Sequence, residues 1–249
     1  MQISAIVTGH SRGLGAAIAA NLLGRGIATL GLARRVHPDL AQRYPTLLQE
    51  VTLDLSDPSA LGAWLAGPTL ANWGLGRDQI VLINNAGTVE PIGSLPMQDA
   101  MAVAKAVALN VAAPLMLSSA LVSATDAKQD RRILHVSSGA ARNAYAGWSV
   151  YCATKAALDH HARAVVLDDT AGVRICSLAP GVIDTAMQAA IRATSLEAFP
   201  MRARFDALKA HGELASPQDC AERLIGYALS ASFGQQPVAD LRDVATEGD

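Results

Sequence analysis

The chain has 249 residues, 51% of them hydrophobic and 17% charged, a composition that buries a core and excludes a disordered segment. Its 20 Lys and Arg against 22 Asp and Glu leave a formal charge of −2, which excludes a general nucleic-acid-binding field. In chain order, residues 3–7, 27–33, 48–53, 80–83, 132–136 and 173–178 are short β-branched or leucine-rich runs and read as strands. Helix-length stretches separate them at 13–25, 58–65, 97–124 and 149–170, and a last one at 217–230 opens with Ser216-Pro217, a cap followed by proline at the first helical position. A short seventh strand is expected near 238–241. Strands that are apolar on both sides belong to a parallel sheet covered on both faces. The predicted fold is therefore α/β, a Rossmann-type doubly wound parallel sheet of about seven strands with helices on both faces, in a single domain over 1–249. Residues 185–212 break this rhythm, carrying Met187, Phe199, Pro200, Met201 and Phe205, and read as a partly helical substrate lid.

Met1-Gln2-Ile3 has no basic region ahead of an apolar stretch, so no secretory signal is expected. The apolar segment 97–124 is interrupted by Gln98, Asp99, Lys105, Asn110 and Pro114, which argues against a membrane span. Cys152, Cys176 and Cys220 cannot all pair and lack a Cys-x-x-Cys spacing, which suits a reduced cytoplasmic setting.

Directly after the first strand comes Thr8-Gly9-His10-Ser11-Arg12-Gly13-Leu14-Gly15, running into a helix. Gly9 permits a tight turn, Gly13 lets the backbone approach a pyrophosphate, and Gly15 lets the helix pack on the sheet. The helix N-terminus adds unpaired N–H donors and positive dipole. Strand, glycine turn and helix together point to a dinucleotide. Units that prefer NAD place an acid after the second strand for the ribose 2′-OH, but this chain reads Leu32-Ala33-Arg34-Arg35 there. With Arg12, these arginines can gather on a 2′-phosphate, so the expected cofactor is NADP(H).

Ser137-Ser138 follow the fifth strand, at the sheet edge where ligands of parallel sheets bind. Tyr151-Cys152-Ala153-Thr154-Lys155 opens the next long helix, and the i, i+4 spacing puts Tyr151 and Lys155 on one face. A cation favours phenolate: one unit charge at about 4 Å is worth roughly 4 kcal/mol at an effective dielectric near 20, or about three pKa units. The expectation is a phenol drawn down toward neutral pH. His10, His135, His160 and His161 lack metal-ligand partners at sensible spacing and read as structural or surface residues, so no metal is expected.

Those residues, with Asp54 after strand three, Asn84-Asn85-Ala86-Gly87 after strand four, Asn110, and Pro180-Gly181 with Thr185, fall in one order. In that order the chain resembles the short-chain dehydrogenase/reductase family over essentially its whole length. The resemblance implies that Tyr151 is the general acid of carbonyl reduction and that Lys155 binds the nicotinamide ribose and depresses the tyrosine pKa. Ser138 would orient the substrate oxygen, and Asn110 would hold a water in a proton relay. It further implies a cofactor site of Gly9, Ser11, Arg12, Gly13, Leu14, Gly15, Arg34, Arg35, Asp54, Leu55, Asn85, Ala86, Gly87, Tyr151, Lys155, Pro180, Gly181, Val182 and Thr185. In it Asp54 contacts the adenine, Asn84 to Gly87 brace the sheet beside the cofactor, and Pro180 to Val182 flank the nicotinamide.

Within the family, Asn84-Asn85-Ala86-Gly87-Thr88-Val89-Glu90-Pro91, Ser137-Ser138-Gly139-Ala140-Ala141, Gly147-Trp148, and the run from Ala179 to Gln188 are similar to the sepiapterin-reductase-like branch, especially bacterial benzil reductases. Val238-Ala239-Asp240-Leu241-Arg242 resembles that branch's ending, where an acid near the C-terminus can anchor a pterin; the matching residue is Asp240. The glycine-rich, Asp-Gly-Gly-bearing end of oxoacyl-carrier-protein reductases is missing. The expected activity is NADPH-dependent reduction of a ketone or a benzil-like vicinal dicarbonyl, with Trp148, Met187 and Asp240 as substrate contacts. A pterin reductase is the nearer alternative. A non-catalytic NADP(H)-binding redox sensor is the alternative of another class, against which intact Ser138, Tyr151 and Lys155 argue. The apolar helices at 97–124 and 149–170 have enough nonpolar positions to be covered on two sides, and the family expectation is a homodimer through them, with a tetramer left open.

Overall fold

Adjacent residues of the apolar runs go to opposite faces of one sheet: Ile6 and Val7, Leu82 and Ile83, Ile133 and Leu134 each split between two cores. The computed structural model describes residues 1–244. Its strands are β1 (Ile3–Thr8), β2 (Ala28–Ala33), β3 (Leu48–Thr52), β4 (Gln79–Asn84), β5 (Asp130–Val136), β6 (Val173–Ala179) and β7 (Val238–Asp240). All pair in parallel, in the order β3-β2-β1-β4-β5-β6-β7. The chain winds outward from β1 to β3, returns to β4 and winds the other way, so a crevice opens at the carboxyl ends where the order reverses.

The helices are α1 (Gly13–Gly24), α2 (Leu40–Arg43), α3 (Pro58–Leu65), α4 (Thr69–Gly74), α5 (Ala100–Val107), α6 (Ala113–Ala124), α7 (Ser149–Leu167), α8 (Ala186–Ala193), α9 (Arg202–Ala210) and α10 (Pro217–Leu229). Ile18 and Leu22 of α1 with Leu224 and Ile225 of α10 cover one face of the sheet. Leu61 of α3, Leu117 and Leu121 of α6 and Ala162 of α7 cover the other.

The single helix expected over 97–124 is divided. A short 3₁₀ turn occupies Leu95–Met97, and Asp99 caps α5 by accepting from Ala102 N–H at 2.8 Å. A wide π-type turn over Ala108–Ala112, with Asn110 in it, then separates α5 from α6. The run Ala100–Ala124 is long and apolar enough to cross a membrane, with a hydropathy of 1.7, but Leu117 and Leu121 are spent on the sheet core. Helix α7 stops short of residue 170 because Asp169 turns to φ 46. The short helices α2 and α4, not expected from the sequence, span little more than one turn, too few residues for a helical period to show.

Helices α8 and α9 occupy the segment that broke the sequence rhythm. Their entry and exit are tied together: Ala215 N–H donates to the Val182 carbonyl and Asp184 N–H to the Ala215 carbonyl, each at 3.0 Å, forming a parallel bridge between Ile183 and Ala215. From that neck Ile191, Phe199 and Phe205 reach back to pack with Val89, Ala140 and Trp148.

The tightest backbone approach lies where β1 feeds α1. A Cβ on Gly15 would sit 2.1 Å from the Gly9 carbonyl oxygen and 2.5 Å from Asn85 Nδ2, and the first of these is backbone that cannot swing away. Gly→Ala in a helix ordinarily stabilises by about 1 kcal/mol. Here Gly15→Ala is expected to destabilise by at least about 2 kcal/mol and lower Tm by roughly 4–8 °C. Thermal unfolding followed by circular dichroism checks this, and an unchanged or raised Tm contradicts the close approach.

Candidate active site

The carboxyl ends of β1 and β4 are laced together around the glycine turn. Thr8 Oγ1 accepts from the N–H groups of Asn85 and Ala86, both at 2.9 Å, and Asn85 Nδ2 donates to the Thr8 carbonyl at 2.9 Å. Gly9 (φ 71) and Gly13 (φ 55) take left-handed conformations, and a Cβ on Gly13 would stand 3.6 Å from Thr185 Cγ2. The glycine turn therefore faces Thr185, which caps α8 by accepting from Gln188 N–H at 3.4 Å. At the start of α1, Arg12 supplies no side-chain cap and the first turn holds no acid, so its N–H groups are left for an anion.

Arg12, Arg34 and Arg35 are exposed, and among the described residues none of them forms an ion pair with a carboxylate. Asp54 accepts from Ser56 N–H at 2.9 Å and Ser56 Oγ at 2.7 Å. Its partial burial raises its pKa, but the Ser56 hydrogen bonds and the charges of Arg34 and Lys105 outweigh that and hold it below the ordinary carboxylate value. Leu55 sends its side chain into the core beside Leu30 and Leu61. A backbone cradle closed to a Cβ at Gly15, bare helix N–H groups and exposed guanidiniums fit the phosphates of a dinucleotide.

Asn110, buried in the wide turn, spends its side chain on its neighbours. Its Oδ1 accepts from Thr88 N–H at 2.8 Å, and its Nδ2 donates to the Thr88 carbonyl at 2.8 Å and to Thr154 Oγ1 at 3.1 Å. A Cβ on Gly87 would lie 3.2 Å from Asn110 Oδ1 and 3.6 Å from Lys155 Nζ, so the two groups meet across that glycine.

Lys155 is buried, its Nζ 5.8 Å from the centre of the Tyr151 ring and donating to the Val136 carbonyl at 2.7 Å. Burial lowers its pKa to about 8, with Asp159, one turn further along α7, pulling the other way. Asp159 accepts from Ser137 Oγ and Ser177 Oγ at 2.7 Å each and from Arg142 Nε at 3.2 Å. The expected depression of the Tyr151 pKa is corrected by the structure. Burial, with a smaller contribution from Cys152, raises it above the ordinary phenol value and outweighs a hydrogen bond with Ser138 that lowers it, while the Lys155 ammonium stands 5.8 Å from the ring centre. The phenol is neutral at neutral pH and can give a proton. Ser138 Oγ accepts from Ala140 N–H at 3.1 Å, so its O–H is the side that meets the phenol.

Trp148 stacks on Phe199 at 4.4 Å between ring centres with 15° between planes, and meets Tyr151 edge-on at 5.3 Å. An aromatic cover from the α8–α9 segment thus rests against the phenol through Trp148, whose Nε1 is buried with no hydrogen-bond partner among the described residues. Met187 is exposed on α8 and is not part of this cluster. The carboxylate of Asp240 does not stand free for a ligand: Arg242 binds it with Nε at 2.9 Å and a second guanidinium nitrogen at 2.7 Å. Gly181 has φ 86, and Pro180 to Val182 form the turn out of β6 toward Thr185.

The sequence reading missed Thr8, Thr88, Thr154 and Asp159, all polar partners of site residues. Only Asp159 left a signal, as an acid four residues after Lys155 on the same helix. His135, read as structural, is buried and contacts Asn84 Nδ2 through Nδ1 and His161 Nδ1 through Nε2, both at 3.1 Å. Burial, with the charges of His161 and Lys155 adding to it, lowers its pKa to about 3, so it stays neutral beside the ammonium.

Residues 4–196 match the family model described as short chain dehydrogenase. A Bacillus cereus protein described as benzil reductase ((S)-benzoin forming) is 35% identical over 240 residues, covering 94% of this chain and 96% of that protein. A Meriones unguiculatus sepiapterin reductase is 31% identical over 252 residues, covering 96% of this chain and 95% of its own length. The crystal structure of a short-chain dehydrogenase/reductase from Burkholderia vietnamiensis is 52% identical with a TM-score of 0.72, covering 98% of this chain and 99% of that one.

A lysine whose folded pKa is lowered binds fewer protons than in the unfolded chain between pH 8 and 10.5, so it opposes folding at neutral pH and ceases to do so as the pH rises through that window. The penalty at neutral pH is about 3 kcal/mol. Lys155→Met is therefore expected to raise Tm at pH 7 by a few degrees while activity is lost, and to raise it less at pH 10. Equal Tm differences at the two pH values contradict the buried ammonium.

Proposed function

The chain belongs to the short chain dehydrogenase family of oxidoreductases, and from that premise we propose that it is an NADPH-dependent carbonyl reductase acting on a ketone or a benzil-like vicinal dicarbonyl. The observation that carries this reading is a half-buried phenol whose ring centre lies 5.8 Å from a buried ammonium and whose edge meets an aromatic cover. Gly9, Ser11, Gly13, Leu14 and Gly15 would hold the pyrophosphate at the α1 N-terminus, and Arg12, Arg34 and Arg35 the 2′-phosphate. Asp54 and the backbone of Leu55 would meet the adenine, and Asn85, Ala86 and Gly87 would brace the cofactor from β4. Pro180, Gly181, Val182 and Thr185 would flank the nicotinamide, which when bound supplies the hydride. Tyr151 gives its proton to the carbonyl oxygen, toward which Ser138 donates a hydrogen bond. Lys155 binds ribose and stabilises the phenolate left behind. Asn110 fixes the Thr88 backbone and the wide turn next to Lys155, where a relay water would sit.

The aromatic cover suits flat apolar groups on the substrate, and relatives described as benzil reductases agree with that. A pterin reading has relatives of its own, but a pterin's ring N–H groups need a free buried acid, and Arg242 already closes Asp240. Residues 185–212 act as the lid of a single domain. Exposed Met101, Val107, Val166 and Leu167 on α5 and α7 suit a homodimer through these helices. Free thiols at Cys152, Cys176 and Cys220 suit a reducing cytoplasm.

Three free guanidiniums are expected to favour NADPH over NADH at least tenfold in kcat/KM, about 1.4 kcal/mol, and Arg34→Asp to reverse the preference. NADPH consumption with benzil, diacetyl and sepiapterin as substrates measures this, and equal efficiency with the two cofactors refutes the assignment. Tyr151→Phe keeps the ring and its packing but removes the proton, so turnover of a responsive diketone should fall at least about a thousandfold while NADPH still binds. Retention of most activity would place the acid elsewhere.

A further inference from the structure

Glu50 lies on β3, two strands over from the strand that feeds the glycine turn, and one of its oxygens joins two separate parts of the cofactor region. Its Oε1 receives the Nε2–H of His10, from the glycine turn, and the backbone N–H of His37, each at 2.7 Å. The side chains of His10 and Glu50 are 1% and 8% exposed, so this bond is shielded from water on both ends. The sheet register explains how the two residues reach each other. Val7, Gly31 and Glu50 stand side by side on β1, β2 and β3, and the imidazole crosses β2 above Gly31, where a Cβ would come within 2.5 Å of the ring. On the far side, His37 Nδ1 accepts from the N–H groups of Asp39 and Leu40 at 3.1 and 3.2 Å, fixing the segment that begins with Arg34 and Arg35 onto α2.

We propose that Glu50 is a positioning residue for the adenosine 2′-phosphate: by binding His10 and the His37 backbone at one oxygen, it holds Arg12 and the Arg34–Arg35 pair in register. It touches no cofactor atom itself. Its effect comes through preorganisation, since arginines on a tethered backbone lose less freedom when they close on a phosphate. The proposal rests on the NADP(H) reading above.

Fluorescence titration of the purified enzyme with NADPH and with NADH, without substrate, tests it. Glu50→Ala is expected to weaken NADPH at least fivefold and NADH no more than twofold. Glu50→Gln keeps an oxygen that accepts both N–H groups, so it should stay within twofold of the unaltered protein for both. His10→Ser breaks the link from its other end and should reproduce the selective loss, which settles the question if Glu50→Ala does not fold. Equal weakening of both nucleotides, no weakening, or a Glu50→Gln variant as weak as Glu50→Ala overturns the proposal. If the unaltered enzyme binds the two nucleotides equally, the NADP(H) reading fails and this inference with it. If it prefers NADPH and both Glu50→Ala and His10→Ser keep that preference, the positioning role alone fails.

Discussion

Lys155 Nζ donates to the Val136 carbonyl at 2.7 Å among side chains that keep water away, and an ammonium in such a place must be compensated or give up its proton. The carboxyl edge of the sheet is arranged around that demand. Asp159 provides the opposite charge one turn along α7, and its own burial is answered by Ser137 from the end of β5, Ser177 from β6 and Arg142 beyond the turn after Ser138. The last guanidinium also donates to the Ala239 carbonyl at 2.8 Å, so β5, β6, β7 and α7 are tied through one electrostatic network. Exclusion of water also moves the Tyr151 phenol further above its ordinary value. Burial therefore acts on the two groups in opposite senses, favouring the neutral phenol and opposing the ammonium, and it is Asp159 that pulls the lysine back toward its charged form.

Strands, glycine turn and the Tyr151–Lys155 spacing were legible in the sequence because each rests on local pattern: a buried parallel strand is apolar throughout, a tight turn needs glycine, and a helix repeats its face every fourth residue. What was not legible was set by tertiary burial. The direction of the Tyr151 shift depends on how much water Trp148 and Phe199 exclude, and those residues meet only after the chain has folded back from α8 and α9. Asp240 was marked as a pterin anchor by the resemblance alone, and its pairing with Arg242 is a matter of side-chain rotamer rather than of spacing. The division of the 97–124 helix escaped notice for a related reason, since the wide turn follows from Asn110 binding Thr88 and Thr154, which lie far away in sequence. Nothing in the sequence singles out Glu50 from other acids in strands. Only the register of β1, β2 and β3 puts it opposite Gly31 and within reach of His10.

The bridge between Ile183 and Ala215 gives the α8–α9 segment a property of its own. A chain excursion whose two ends are already fastened side by side has met its closure entropy at the neck, and further lengthening adds only as the logarithm of its length, about 0.6 kcal/mol for each doubling. The sheet therefore does not register how long or how helical that excursion is, provided the neck persists and something apolar returns to cover Trp148. Descendants of this fold can exchange the whole excursion as a cassette. Selection can act on the substrates admitted while the buried lysine, its carboxylate and the strand ends beneath them stay as they are.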